Sequence, residues 1–181
     1  MADLVVATFN SHWGVRPNGR PYDLVAACRL IDADALVLQE AWQGDDEASP
    51  VENVASALGY SVHYAGLARG RLDPRPRIVH PPRVSRGTWG LAILSRLPVE
   101  DVQRLDLGHL LMDPAPRAAL RVDLRFNGTL LSIFGTHLSH LSHGSLFQLR
   151  KLRSLLPSDN RPAVLAGDLN MWGPVVTRFL P

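Results

Sequence analysis

The chain has 181 residues, a length that predicts one domain spanning 1–181. Hydrophobic residues make up 46% and charged residues 20%, which is typical of a globular protein and excludes an intrinsically disordered chain. The formal net charge of +2 is too small to indicate nucleic-acid binding by itself, and a single cysteine, Cys28, excludes both an intramolecular disulfide framework and a cysteine-based zinc cluster.

The apolar runs are far shorter than the roughly 18 residues that a membrane-spanning helix needs. The first residues also lack the basic and apolar regions of a secretory signal. The sequence therefore predicts a cytoplasmic protein without a membrane span.

The first elements along the chain form a strand–helix–strand unit. Residues 3–9 are rich in β-branched side chains and predict a buried strand, and residues 34–39 predict a second one. Between them, a helix beginning near Pro21 is predicted by apolar residues at i, i+3, i+4 and i+7, which are Leu24, Ala27, Cys28 and Ile31. This order of elements predicts an α/β fold.

A second helix begins at Ser49, which can cap it, with Pro50 at its first position and Glu52 completing a capping box. Gly59 ends this helix, and residues 60–64 alternate like a strand. Residues 66–88 carry six Arg, four Pro and one acidic residue, and proline removes backbone donors. We expect a long surface loop there, either functional or merely solvated.

The remaining chain predicts four more strands and one helix. The dipeptide Asn127-Gly128 is a strong two-residue hairpin signal. A final strand leads into the segment Gly167-Asp168-Leu169-Asn170. The predicted strands are residues 91–94, 120–124, 129–135 and 162–166, and the helix spans residues 145–156.

Polar side chains occur where several predicted strands end. Ligands of α/β proteins bind at the carboxyl ends of strands. Each residue alone could be a turn former or a helix cap, but all of them together indicate one functional site. These residues are Asn10, Glu40, His137, Asp168 and Asn170.

The chemistry of these residues is coherent. Asn10 and Glu40 offer only oxygen ligands, which suit Mg²⁺ or Mn²⁺ rather than zinc. His137 can donate to a phosphoryl oxygen, Asp168 can orient a water or a leaving group, and Asn170 can donate to the same phosphate. The set predicts metal-assisted hydrolysis of a phosphoester.

The same residues lie in motifs that occur, in this order, in the endonuclease/exonuclease/phosphatase family, which the chain resembles. The resemblance implies that Asn10 and Glu40 hold the metal and that His137 and Asn170 contact the scissile phosphate. Asp168 would act across the phosphate, either by activating a water or by protonating the leaving group. The motifs are Thr8-Phe9-Asn10, Leu38-Gln39-Glu40, Trp89-Gly90-Leu91-Ala92-Ile93-Leu94-Ser95-Arg96, Thr136-His137-Leu138 and Gly167-Asp168-Leu169-Asn170.

The resemblance also implies a fold and a substrate range. The fold is a two-sheet β-sandwich flanked by helices, in four α/β/β/α layers. The substrate would be a phosphoester of nucleic acid, of a phospholipid head group or of an inositol phosphate. We expect no obligate protein partner unless Pro181 is the natural end of the chain.

The family places a further Asp and a Ser-Asp-His near its C-terminus, whereas this chain has no histidine after His143. We therefore expect the last strands of the second sheet to be missing, and this chain to be weakly active or inactive. The alternative is a catalytically incomplete domain that binds metal or phosphate, or that a partner chain completes.

Several further residues are candidates for the site or for the core. Arg117 is either a clamp for the substrate phosphate or a surface ion pair, and His12 is a candidate substrate contact. A metal cluster of His137, His140 and His143 is disfavoured because Gly144 favours a loop, so His140 and His143 are expected at the mouth of the site or at a helix start.

Cys28 is expected in the core. The four tryptophans beside the motifs, Trp13, Trp42, Trp89 and Trp172, are either pocket walls or core residues.

Overall fold

Two β-sheets pack face to face, and helices cover the outer face of each sheet. The structure is a computed structural model, which describes residues 3–46, 48–72, 85–157, 159 and 161–171. The helices are a short 3₁₀ helix (His12–Gly14), α1 (Leu24–Ile31), α2 (Pro50–Leu58) and α3 (Ser142–Ser154). The strands are β1 (Val6–Asn10), β2 (Ala35–Gly44), β3 (Ser61–Leu72), β4 (Ser85–Ser95), β5 (Val99–Gly108), β6 (Arg117–Phe126), β7 (Thr129–His137) and β8 (Ala163–Asp168).

Within the described residues each sheet has four strands, in the orders β1-β2-β4-β3 and β5-β6-β7-β8. The pairs β1–β2 and β7–β8 are parallel, whereas the other neighbours are antiparallel. A helix connects the strands of each parallel pair, α1 in the first sheet and α3 in the second. The architecture confirms the expected four-layer α/β/β/α sandwich.

Alternation along β2 shows how the layers are held together. Ala35 and Val37 face the second sheet and belong to the inner core, whereas Leu36 and Leu38 face α1 and α2. Because successive side chains of a strand point to opposite faces, an uninterrupted apolar run serves both layers. Cys28 lies in the helix-side core and is fully buried, and burial raises the pKa of its thiol to about 11.

The cap of α2 and the hairpin turn are confirmed, whereas the capping bond expected from Glu52 back to the Ser49 amide does not form among the described residues. Ser49 caps α2 by accepting a hydrogen bond from the Val51 amide at 3.3 Å. Asn127 and Gly128 both have positive φ, 49° and 81°, as a tight hairpin turn between β6 and β7 requires. Within the described part of the chain, no helix is long and apolar enough to cross a membrane.

The prediction of a loop over residues 66–88 is wrong at both ends of that segment. Strand β3 continues to Leu72 and β4 starts at Ser85, with Arg69 opposite Thr88 and Arg71 opposite Arg86. Residues 73–84, the middle of that prediction, lie outside the described residues. The prediction relied on proline, and all four prolines of this segment lie within residues 73–84, between the two strands. Gly87 in β4 allows a close approach, since a Cβ at this position would collide with the Gln43 carbonyl and the ring of Trp42.

Strand β5 is an element that the sequence analysis did not predict. Five of its residues in succession, 100–104, are exposed, and only Leu107 is fully buried. An edge strand with so little buried surface lacks the regular alternation that indicates a strand, so its sequence resembles a loop.

Candidate active site

The carboxyl ends of β7 and β8 and the bulge of β2 at Glu40 enclose a pocket of about 340 Å³ at one end of the sandwich. The parallel pairing of β7 with β8 and the packing of both against β2 bring these strand ends together. Of the predicted site residues, Glu40, Arg117, His137, Asp168 and Asn170 all line the pocket. Its other lining residues are Trp13, Trp89, Pro114 and His140.

Asn10 and Glu40 lie beside each other because β1 and β2 are parallel and in register. Asn10 is opposite Gln39, and its Nδ2 donates to Oε1 of Glu40 at 3.3 Å. The register between β2 and β4 shifts between Leu38 and Ala41, and Glu40 in this bulge has a φ of 51°. Bulges of this kind re-aim a side chain, and here the Glu40 carboxylate reaches the pocket.

His137 and Asp168 end β7 and β8 and are register partners. The His137 Nε2 lies 3.8 Å from Asp168 Oδ2, and the His137 side chain is only 9% exposed. Its Nδ1 is shielded from solvent and has no hydrogen-bond partner within the described structure. Burial lowers the pKa of His137, and the positive charge of Arg117 lowers it further, so the imidazole is neutral at neutral pH.

The segment after β8 is tied to the segment after β7. The Asn170 backbone amide donates to Asp168 Oδ1 at 3.0 Å, and its Nδ2 donates to the Leu138 carbonyl at 2.9 Å. Because the first hydrogen bond is accepted by Oδ1, the other carboxylate oxygen of Asp168, Oδ2, is left facing His137. The second hydrogen bond uses one of the two N–H groups on Asn170 Nδ2.

Arg117 lines the pocket and is ion-paired, but the pair is buried rather than on the surface. Its Nη2 lies 2.6 Å from Asp113 Oδ1, and the two side chains are 4% and 0% exposed. The guanidinium also lies 5.7 Å from the centre of the Trp89 ring, and Nη1 donates to the His137 carbonyl at 3.4 Å. The sequence analysis missed Asp113, whose only signal was an acidic residue shortly before a strand.

The remaining histidines have different positions. His12 is exposed, its Nδ1 lies 2.8 Å from the Val15 carbonyl, and it does not line the pocket. His140 lines the pocket mouth, and His143 lies in the first turn of α3. In the residues that the structure describes, no group of three or more His, Cys, Asp or Glu side chains is placed to hold a metal ion.

Three of the four tryptophans can be placed. Trp13 and Trp89 line the pocket, and Trp42 is buried, with its ring centre 5.6 Å from that of Trp13. Trp172 lies outside the described residues.

The charges of the pocket suit a divalent cation. None of the ion pairs formed among the described residues involves Glu40, and the cation of Arg117 is already paired with Asp113. The carboxylates of Glu40 and Asp168 therefore leave the pocket with an excess of negative charge. Carboxylate and amide oxygens are the donors that Mg²⁺ and Mn²⁺ prefer, so the Glu40 carboxylate fits such an ion. The Asn10 Oδ1 accepts from the His12 backbone amide at 3.0 Å and keeps a second lone pair for a cation.

Solved structures with the same fold are known. An endonuclease/exonuclease/phosphatase family protein from Leptotrichia buccalis C-1013-b is 12% identical, with a TM-score of 0.69 over 98% of this chain and 70% of that chain. Humanized D. rerio TDP2 is 18% identical, with a TM-score of 0.66 over 98% and 68%. ANGEL2 is 18% identical, with a TM-score of 0.65 over 96% and 56%. At these identities the likeness establishes the fold alone.

This chain spans 56% of the length of ANGEL2 and 70% of the length of the Leptotrichia buccalis protein. A sequence search of curated proteins finds no match. The model of the Endonuclease/Exonuclease/phosphatase family, in contrast, matches residues 7–179, nearly the whole chain. The motif order, the four-layer sandwich and this match agree, and the chain belongs to the endonuclease/exonuclease/phosphatase family.

Proposed function

We propose that this chain is a phosphoester hydrolase domain that uses Mg²⁺ or Mn²⁺. One observation carries the proposal: the Glu40 carboxylate, which accepts from Asn10 but forms no ion pair among the described residues, lines the same pocket as His137, Asp168 and Asn170. Two similar structures support it, ANGEL2 described as a 2′,3′-cyclic phosphatase and D. rerio TDP2 in complex with a single strand DNA product.

In this proposal Asn10 and Glu40 hold the cation. When bound, the cation supplies positive charge next to the phosphoryl oxygens, which stabilises the charge that develops there during hydrolysis. The carboxylate excess of the pocket is then neutralised, so an anionic phosphoester can enter.

The protein's own residues grip the phosphate and handle the proton. Because no acceptor faces Nδ1 in the described part of the structure, the neutral His137 holds its proton on Nε2, where it can donate to a phosphoryl oxygen. The second N–H of Asn170 Nδ2 can donate to the same group. Oδ2 of Asp168 can accept a proton from water or orient the leaving group.

The test is hydrolysis of bis(4-nitrophenyl) phosphate with Mg²⁺ or Mn²⁺, and with EDTA as the metal-free control. Because the chain is expected to be weakly active, we expect slow, metal-dependent release of 4-nitrophenolate, and we expect Glu40→Gln to reduce it to the EDTA background, since a ligand and a charge are lost together. The matched control is Glu52→Gln, an exposed carboxylate in the first turn of α2.

Calorimetry with Mn²⁺ separates the alternatives. Binding of Mn²⁺ that depends on Glu40, without turnover, would support the alternative of a metal- or phosphate-binding domain and would overturn hydrolysis by this chain. Turnover that is equal in EDTA, or unaffected by Glu40→Gln, would overturn the proposed role of the metal.

A further inference from the structure

We propose that Trp13 and Trp89 form a flat aromatic wall that stacks a nucleobase, so that the preferred substrate is a phosphoester of a nucleotide. This inference rests on the proposed function and names the substrate class of the same pocket. We call these two residues, together with the buried Trp42 on which Trp13 packs, the tryptophan wall.

The wall is built by strand register and by the segment after β1. Trp42 on β2 and Trp89 on β4 are paired residues, so both point to the same face of the sheet. The ring of Trp13 packs on both, with its centre 5.6 Å from that of Trp42 and 6.5 Å from that of Trp89. Trp42 is buried beneath, whereas Trp13 and Trp89 line the pocket.

The orientation of the rings decides which ligand fits. Trp13 is tilted by 30° to Trp42 and by 31° to Trp89, so its ring is closer to parallel than to perpendicular with each of them. A quaternary ammonium head group is bound by ring faces that surround it as a cage, which these near-parallel rings do not form. The guanidinium of Arg117 already lies 5.7 Å from the Trp89 ring, which disfavours a second cation there. A planar, uncharged base matches such a surface better.

Trp13 is held in this position at a cost to stability. Its φ is 59°, in the left-handed region that a bulky residue rarely adopts, and its indole Nε1 is shielded from solvent without an acceptor among the described residues. Ser11, two residues earlier, is held by its Oγ, which donates to the Gln39 carbonyl, and by the Tyr22 hydroxyl, which donates to the Ser11 carbonyl. Strain that its surroundings maintain in this way is typical of ligand clamps.

The wall is close enough to the phosphate-binding groups to serve one ligand. The Trp89 ring meets the His137 ring edge-on, with 6.5 Å between their centres. Both tryptophans share the pocket of about 340 Å³ with His137 and Asn170, a volume in the range of small-ligand sites. A phosphate held at His137 therefore places an attached sugar and base beside the wall.

Binding measurements can test the wall without relying on turnover. Adenosine 5′-monophosphate, ribose 5-phosphate and inorganic phosphate are titrated by calorimetry in the presence of Mg²⁺. We expect the nucleotide to bind at least about tenfold more tightly than the sugar phosphate, since stacking on an aromatic side chain contributes this much. Trp13→Ala should weaken nucleotide binding by about tenfold and leave ribose 5-phosphate unchanged. Trp13→Phe, which keeps a ring, should retain most of the affinity.

The control variant is Phe147→Ala, which removes a 56% exposed aromatic ring of α3 that does not line the pocket, and it should bind like the wild type. Quenching of tryptophan fluorescence in the wild-type chain by the nucleotide, but not by ribose 5-phosphate, tests the wall even if Trp13→Ala fails to fold. Equal affinity for the nucleotide and the sugar phosphate, or equal weakening of both in Trp13→Ala, would overturn the inference.

Hydrolysis of a dinucleotide and of the base-free diester glycerophosphoglycerol separates this inference from the proposed function. If both diesters are cleaved equally well by the wild type and by Trp13→Ala, the hydrolase proposal stands and the stacking inference fails. If neither diester is cleaved but nucleotide affinity still depends on Trp13, the stacking inference stands and the hydrolase proposal fails.

Discussion

His137 and Asp168 face each other as register partners on the parallel strands β7 and β8, with 3.8 Å between Nε2 and Oδ2. The pairing places a neutral imidazole and a carboxylate at adjacent strand ends. Both are fixed by backbone geometry rather than by a direct hydrogen bond between their side chains. Small shifts between β7 and β8 should therefore change the site.

Gly167 allows β7 and β8 to approach closely just before Asp168. Its φ is 145°, and a Cβ there would collide with the Thr136 carbonyl. We expect Gly167→Ala to lower the free energy of unfolding by roughly 2–4 kcal/mol, because backbone strain and overpacking add. Urea unfolding measures the change.

The matched control for that substitution is Gly59→Ala. Gly59 also has a positive φ, 74°, but a Cβ there has no neighbour within 4 Å. It should therefore show only the strain, about 1–2 kcal/mol. Equal losses in the two variants would contradict the role of the close strand approach.

The buried pair of Asp113 and Arg117 should contribute strongly to stability. Burial alone would raise the pKa of Asp113, but hydrogen bonds from Arg117 hold it below its ordinary value, so the carboxyl stays charged. Asp113→Asn leaves Arg117 buried without its counter-charge and should cost about 3–5 kcal/mol in chemical unfolding. The exposed Asp101→Asn should change stability by no more than about 0.5 kcal/mol.

A double variant separates the contribution of the ion pair to stability from the cost of leaving Arg117 without its counter-charge. Asp113→Leu combined with Arg117→Met removes both charges, and we expect it to be more stable than Asp113→Asn alone. A loss below about 1 kcal/mol in Asp113→Asn would contradict the predicted cost of the uncompensated Arg117.

His63 on β3 should make stability depend on pH. Burial lowers its pKa from 6.5, and its shielded Nε2 has no partner among the described residues. The unfolded chain therefore binds a proton more readily, so the contribution of His63 is present above about pH 6.5 and is lost as pH falls toward the lower folded-state pKa. His137 acts in the same direction.

We expect His63→Phe to flatten the decline of the urea midpoint between about pH 7.5 and about pH 5 without abolishing it, since His137 still titrates. An unchanged slope in this variant would show that the neutral form of His63 is not favoured by folding.

Asp123 should contribute stability that acid removes. Its buried carboxylate accepts from Ser132 Oγ at 2.7 Å and pairs with Arg121 and with Arg161, the latter at 2.7 Å. Burial alone would raise its pKa, but the hydrogen bonds from Arg121 and Ser132 hold it below 3.8. The contribution is therefore complete above about pH 3.8 and is lost as pH falls through the lower folded-state pKa.

Asp123→Asn should cost about 3 kcal/mol near neutral pH, and the difference from wild type should shrink in strong acid. The control is Asp106→Asn, whose exposed carboxylate lies 3.4 Å from Arg104 and should contribute less than about 1 kcal/mol. A pH-independent difference for Asp123→Asn would contradict the predicted linkage.

The local signals of the sequence were sufficient for most of the fold. Periodicity and turn chemistry predicted the strands and helices of the two parallel pairs, the cap of α2 at Ser49 and the hairpin at Asn127-Gly128. These features depend on interactions between residues a few positions apart, so a linear reading detects them. The polar residues at strand ends were also found, because parallel strands bring their carboxyl ends to the same edge.

What the sequence by itself determined is thus the α/β sandwich and the predicted site residues that line its pocket, Glu40, Arg117, His137, Asp168 and Asn170. Only the tertiary structure decided that Asp113 pairs with Arg117, that Trp13 and Trp89 face the pocket, and that residues 66–72 belong to a strand. Asp113 and Arg117 are only four residues apart, but their burial depends on the elements packed around them. The other two features depend on contacts between distant segments: Gly87, for example, makes room for Trp42, 45 positions away in the sequence. Such contacts carry no local pattern, so they emerge only when the sheets are assembled.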